Sequence, residues 1–177
     1  MKTENQIREI VQLGAPVLRE IAAPVDNVTD PKVKKIMEEM LCTLASTQGV
    51  GLAAPQIGEP VRVVVIASRP TPRYPNAPDM EPTIMINPEI TDCSDEMEKG
   101  WEGCLSIPGI RAQVPRHLSL TVRYLDNQGG LKIMNLDHFV ARVFQHEYDH
   151  LNGTVYLDRV ENNRDIYSEH EYLKLMA

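Results

Sequence analysis

Two histidines four residues apart, with a glutamate directly after the first, stand in Gln145-His146-Glu147-Tyr148-Asp149-His150. On a helix, positions i and i+4 lie one above the other, so both imidazoles can bind a single metal ion. Glu147 falls about 100° round the helix from His146, which leaves it free to handle a proton on water activated by that metal. A buried amphipathic helix whose histidines are merely hydrogen-bonded would carry the same six letters. A catalytic site of the zinc type takes three protein ligands and keeps one position for water. Two sources offer the third. Downstream, Glu169 and Glu171 sit at a spacing that suits an HExxH metalloprotease. Upstream, Cys104 lies in Trp101-Glu102-Gly103-Cys104-Leu105-Ser106-Ile107-Pro108-Gly109, where Gly103 permits an unusual turn and Pro108-Gly109 ends the segment sharply. Spacing alone leaves both open.

These residues need elements to hold them. Asp137 is an N-cap candidate, the run 139–151 has no Gly or Pro, and Asn152-Gly153 supplies a stop, so a helix is predicted there. Val140, Phe144 and Tyr148 mark its core stripe, while Phe139 and Val143 share the face of His146 and His150. A second helix is predicted over 31–47, capped by Asp30 with Pro31 at its first position and Gly49 just past its end. Its stripe is Ile36, Met37, Met40, Leu41 and Leu44, with Cys42 as a structural thiol. Strands are predicted over 61–67, 83–88 and 118–124, the last turning through Asp126-Asn127-Gln128-Gly129-Gly130 into 131–136 as a hairpin. Five prolines in the fourteen residues 69–82 exclude a regular element and predict a surface loop. The expected fold class is α+β: short antiparallel sheets packed around a central helix that carries the HExxH motif, as a single domain over 1–177.

A third segment, Gly49-Val50-Gly51-Leu52-Ala53-Ala54-Pro55-Gln56, has the letters of a dinucleotide fingerprint in the wrong setting. That fingerprint needs a strand before it and a helix after it, and here the order is reversed. Its small residues let a backbone approach a ligand closely, and Gln56 offers an amide donor. Taken together, G-x-G-x-A-A-x-Q, E-G-C-x-S and Q-H-E-x-D-H, complete and in order, resemble the peptide deformylase family. The likeness extends to Gly14-Ala15-Pro16-Val17-Leu18-Arg19, so it spans nearly the whole chain. It implies a metal-dependent hydrolase that removes the formyl group from the N-terminal methionine of newly synthesised polypeptides and releases formate.

By that resemblance Cys104, His146 and His150 bind the metal, Glu147 is the acid/base, and Gln56 with the Leu105 backbone N–H stabilises the oxyanion. The same resemblance implies Fe(2+) as the ion, with Zn(2+), Ni(2+) or Co(2+) able to substitute. Phe139 and Val143 are expected to hold the methionine side chain, and Val50 and Gly51 to pair with the extended substrate backbone. Arg111 corresponds to a family arginine near the substrate path. Glu102 and Arg142 are expected to form a buried ion pair that positions the ligand loop. Arg142 departs from the commonest pattern, which leaves the pocket shape open. His117, His138 and His170 have no motif support and are expected at the surface.

Of the 177 residues, 25 are acidic and 18 basic, a net charge of −7 that argues against a nucleic-acid or anionic-membrane surface. No apolar run approaches the ~20 residues of a membrane span, and the polar first ten residues lack the apolar core of a signal peptide. Three cysteines, an odd and sparse set, suggest a reducing compartment. A cytoplasmic protein acting on formyl-Met nascent polypeptides, with a contact near the ribosome exit left open, is the expectation. The reading from a different class is an HExxH metalloprotease with Glu169 or Glu171 as third ligand.

Overall fold

The computed structural model describes residues 6–71 and 74–177. The expectations for residues 1–5 and for 72–73 of the proline-rich stretch lie outside these. The fold is organised about one continuous apolar run, β2 (Val63–Ser68), every residue of which is buried. Side chains alternate across a strand, so Val63 and Val65 face one way and Val64 and Ile66 the other. The first pair packs with Ile36, Met37, Met40 and Leu44 of α1 (Pro31–Ala45). The second pair packs with Ala141 and Phe144 of α2 (His138–His150). A strand covered on both faces has no polar side to show, which is why β2 opens as an unbroken run of Val and Ile over 63–66 before Ala67 and Ser68. Each such side chain adds roughly 1.5–3 kcal/mol on full burial.

The sheet built on β2 has five antiparallel strands in the order β1-β2-β3-β6-β7. They are β1 (Gly51–Ala53), β3 (Met80–Cys93), β6 (Ser119–Leu125) and β7 (Leu131–Asp137) beside β2. The predicted hairpin is β6–β7, in register from Ser119↔Asp137 to Leu125↔Leu131. Its turn is fixed by Asp126 Oδ1, which accepts from the N–H groups of Gln128 and Gly130 at 2.9 and 2.7 Å. Asp30 caps α1 through the Lys32 N–H at 2.7 Å, and that helix ends at Ala45, two residues before the expected 47.

A second antiparallel sheet, β4-β5-β8, went unpredicted. It comprises β4 (Met97–Cys104), β5 (Ile107–His117) and β8 (Ile166–Ser168). Pro108, Gly109 and Pro115 in β5 look like strand breakers. They are tolerated because β8 pairs only with residues 110–112, leaving both ends of β5 with an open flank. A short helix, α3 (Glu169–Met176), follows β8 directly. The predicted strand at 83–88 is the middle of the longer β3, which continues past Pro88 to pair with β6.

Between the two sheets lies α2. It starts with no loop after β7: Asp137 occupies the cap position with extended backbone but without a side-chain cap bond, and His138 makes the turn at φ 48°. The arrangement is α+β, with the HExxH helix at its centre. Among the described residues no helix is long and apolar enough to cross a membrane.

Candidate metal centre

Cys104, the last residue of β4, is brought against the α2 histidines by the tight β4–β5 reversal, where Cys104 pairs with Ile107. One ligand atom from each of Cys104, His146 and His150 lies within 4.8 Å of the other two, and all three residues are buried. Cys104 Sγ and His150 Nε2 are 3.4 Å apart. Bonds of about 2.3 Å to sulfur and 2.0–2.1 Å to nitrogen at a tetrahedral angle separate the two atoms by about 3.5 Å, so the pair fits one metal ion. His150 Nδ1 is buried without a hydrogen-bond partner.

His146 is oriented from behind. Its Nδ1 meets Glu102 Oε2 at 2.9 Å, which leaves Nε2 to face the centre, and its ring stacks on Tyr156 at 5.6 Å. Glu102 in turn takes Arg116 Nε and Nη2 at 2.8 and 3.1 Å and Arg142 Nη1 at 3.1 Å. Arg116 continues to Asp149 at 2.7 Å, and Asp149 to Arg159 at 2.8 Å. Burial would raise the Glu102 carboxyl, but the Arg116 guanidinium and His146 hold it well below the usual carboxylate range. Burial keeps His150 well below an ordinary histidine, whereas His146, equally buried, is held well above by Cys104, Glu102 and Glu147.

Glu147 stands beside this set on α2, buried, with Oε2 unpartnered. Burial pushes its carboxyl up to about 7, the charge of His146 opposing. Its space is ceded by Gly51: a Cβ there would lie 2.4 Å from Glu147 Oε1. Gln56 is fixed at both ends. Its Oε1 accepts from the Ala53 N–H at 2.8 Å, and its Nε2 donates towards Ser106 Oγ at 3.2 Å and Cys104 Sγ at 3.5 Å. A narrow pocket opens on this centre. Val50, Gly51, Leu105, Phe139, Val143 and the side chain of Arg142 form its walls, and Tyr74 packs on Phe139 at 5.2 Å.

Arg142 reaches past the pocket wall. Its guanidinium donates to the carbonyls of Val114 and Glu98 at 2.7 Å each and lies over Gly100, where a Cβ would be 2.7 Å from Cζ. Arg111 lies outside this pocket, buried on β5 between the rings of Tyr74 and Tyr172 and paired with Glu169 at 3.0 Å. Glu169 and Glu171 sit on α3, the second paired with Lys174, and neither joins the ligand cluster. His138 and His170 are exposed, but His117 is half-buried with Nδ1 2.7 Å from the Ser94 carbonyl. Arg116 escaped the sequence reading, and Ser106 entered it only as a letter of the E-G-C-x-S signature. The one signal for Arg116 was its place in the inward alternation Ala112, Val114, Arg116.

A family model described as polypeptide deformylase matches residues 7–165. Peptide deformylase 2 of Nostoc sp. is 49% identical over 172 residues, 97% of this chain and 96% of its own. Peptide deformylase 1 of Bordetella pertussis is 44% identical over 156 residues, 88% and 89% of the two chains. Among solved structures, a Met-Ala-Ser-bound class I type b peptide deformylase from Acinetobacter baumannii aligns with a TM-score of 0.85 at 41% identity, over 88% of this chain and 99% of that one.

Proposed function

The chain belongs to the polypeptide deformylase family, and from that premise we propose how its residues divide the work. The activity is the metal-dependent hydrolysis that frees the N-terminal methionine of new polypeptides from its formyl group. One observation carries the assignment of parts: a buried Cys-His-His cluster within 4.8 Å, with a buried carboxyl at about 7 beside it.

In this reading Cys104, His146 and His150 hold the ion. Bound there, a divalent ion supplies Lewis acidity, polarising the carbonyl and making water acidic enough to ionise near neutral pH. Glu147 takes the proton that the attacking water gives up and delivers it to the departing amine nitrogen. Burial raises this carboxyl above the ordinary carboxylate range, which suits it to both transfers. Gln56, locked by Ala53, and the Leu105 N–H meet the developing oxyanion, each such donor being worth ~3–4 kcal/mol. The edge at Val50 and Gly51 pairs with the substrate backbone, and Phe139 and Val143 receive the methionine side chain. Arg111 braces the substrate path from behind.

Fe(2+) is the ion we assign in the cell, on the family likeness. One thiolate and two imidazoles also suit Zn(2+), Ni(2+) or Co(2+). We further assign 1–177 to one catalytic domain working in the cytoplasm. The test is anaerobic purification, metal analysis and formate release from formyl-Met and acetyl-Met peptides. The formyl peptide should be faster by about 10²-fold or more, since a methyl group would displace the acyl carbon by the order of 1 Å. Equal rates on both peptides would sink the assignment.

A further inference from the structure

The proline-rich stretch 69–82 holds none of the candidate ligands, yet it sends a side chain into the wall of their pocket. Tyr74 lines that pocket together with Val50, Phe139 and Val143, and among the described residues of the stretch it alone does so. The chain around it fixes its place. Thr71 and Tyr74 exchange backbone hydrogen bonds at 3.1 and 3.0 Å, and Thr71 Oγ1 also accepts from the Tyr74 N–H at 3.0 Å. The Ala77 N–H donates to the Tyr74 carbonyl at 3.2 Å, and Thr71 and Ala77 are both buried. Pro75 bars Tyr74 from helical backbone, and each proline fixes its own φ, so a loop of this composition gives up little freedom in keeping one shape. The ring is held as firmly. It packs on Phe139 at 5.2 Å with the planes tilted by 58°. Arg111 donates to its hydroxyl at 3.3 Å and lies 5.7 Å from its centroid, and Arg111 is buried and anchored by Glu169 at 3.0 Å. Tyr74 and Phe139 both stay half-buried, so the pair leaves apolar surface that an entering side chain can cover.

We propose that Tyr74 is a specificity-determining residue: its ring, supplied by the proline-rich loop and not by the signature segments, sets how wide a first side chain the pocket admits. The proposal rests on reading this pocket as the place where formyl-methionine binds. Phe139 and Val143 stand on α2, and Val50 directly precedes β1, so the core fixes those walls. Tyr74 arrives on a loop, and the Thr71 turn and Arg111 decide how near it comes to Phe139. A thin unbranched side chain passes along the two rings and is covered by both. A planar aromatic side chain is thicker and has to push Tyr74 off Phe139 to enter. Losing cover over about 50 Å² of apolar surface is worth about tenfold in binding. The ring therefore does two things at once: it tightens the hold on methionine and it excludes bulk.

The experiment measures kcat and KM of the metal-loaded enzyme on formyl-Met-Ala and formyl-Phe-Ala. Tyr74→Ala should raise KM for formyl-Met-Ala about tenfold with kcat little changed, and should narrow the Met-over-Phe ratio of kcat/KM by about tenfold. Tyr74→Trp thickens the same wall and should widen that ratio, through KM for formyl-Phe-Ala. Tyr74→Phe keeps the ring on Phe139 and should keep the parent's ratio. Asn76→Ala, on the same loop but facing the neighbouring groove, should leave the ratio where it was. A loop that merely lost its shape would lower the folded fraction and kcat, but it would not move the ratio in opposite directions in the alanine and tryptophan variants. Three results overturn the proposal: an unmoved ratio in Tyr74→Ala, shifts of the same sign in Tyr74→Ala and Tyr74→Trp, or an equal shift in Asn76→Ala. Failure of the parent on formyl-Met-Ala itself strikes the reading of the metal pocket, and this one with it.

Discussion

The two sheets on either side of α2 are held by different forces. The five-stranded sheet is pressed between α1 and α2 by aliphatic side chains, with Leu52, Val63, Val64, Val65, Ile66 and Ile86 essentially inaccessible. The three-stranded sheet meets the same helix through Glu102, Arg116, Arg142 and Asp149, charges joined in one chain of hydrogen bonds. Hydrophobic attraction is non-directional and tolerates small slips. Charge-assisted bonds fix angles as well as distances. A helix that must offer two imidazoles to a sulfur on another element needs direction on that side and only firmness on the other. The division teaches that stability and ligand geometry are assigned to opposite faces of α2.

Substitutions on the two sides should therefore separate activity from stability. Cys104→Ala is expected to have the largest effect. Metal content should fall from about one ion per chain to near zero and formate release should vanish, while circular dichroism shows the fold retained. Full metal content in this variant would move the third ligand elsewhere. Next comes Glu147→Gln, which should keep the metal and lose ~10²–10⁴-fold in kcat/KM. Loss of metal and rate together would make Glu147 a ligand.

Glu102→Gln tests the directional side without touching a ligand, and metal affinity should drop ~10–100-fold, read by competition with a chelator. It also carries a pH signature. The Glu102 carboxyl is held well below its ordinary value in the fold, so its contribution to stability is present above that ordinary value and is lost as pH falls towards the depressed one. Thermal melts between pH 7 and pH 3 should thus fall more steeply for the parent chain than for Glu102→Gln. Parallel slopes would dissolve the supposed role of the charge chain. Smallest for catalysis is Ile86→Ala on the α1 side. It should cost ~2–5 kcal/mol in denaturant melts and leave kcat/KM per folded molecule unchanged. A changed KM there would show that the two sheets are not independent.

The same division decides what could be read without coordinates. β2, the β6–β7 hairpin, α1 and α2 were legible because non-directional packing writes itself as periodicity: Val63 to Ile66, Leu120 and Val122, Met37 and Met40. The candidate ligands Cys104, His146 and His150, which the fold brings within 4.8 Å of one another, stood out as motifs, because ligand chemistry restricts residue types as strongly as spacing. The β4–β5 pairing was not legible, since its buried apolar positions Ile107, Ala112 and Val114 are interrupted by Arg111 and Arg116 and its strands carry Gly100, Gly103, Pro108 and Pro115. Arg116 is the plainest loss. In a sequence an arginine reads as solvated, and only the meeting of Glu102 and Asp149 around it makes burial affordable.

Gly100 and Arg142 have a consequence on the scale of descent. The guanidinium fills the volume a side chain at 100 would need, and its bonds to the Glu98 and Val114 carbonyls hold it there. A larger residue at 100 would have to displace the guanidinium from its bonds, and a shorter one at 142 would leave the Val114 carbonyl without that donor and open a hole in the pocket wall. The two positions should drift as a couple, and the shape of the pocket floor should change hands only when both do.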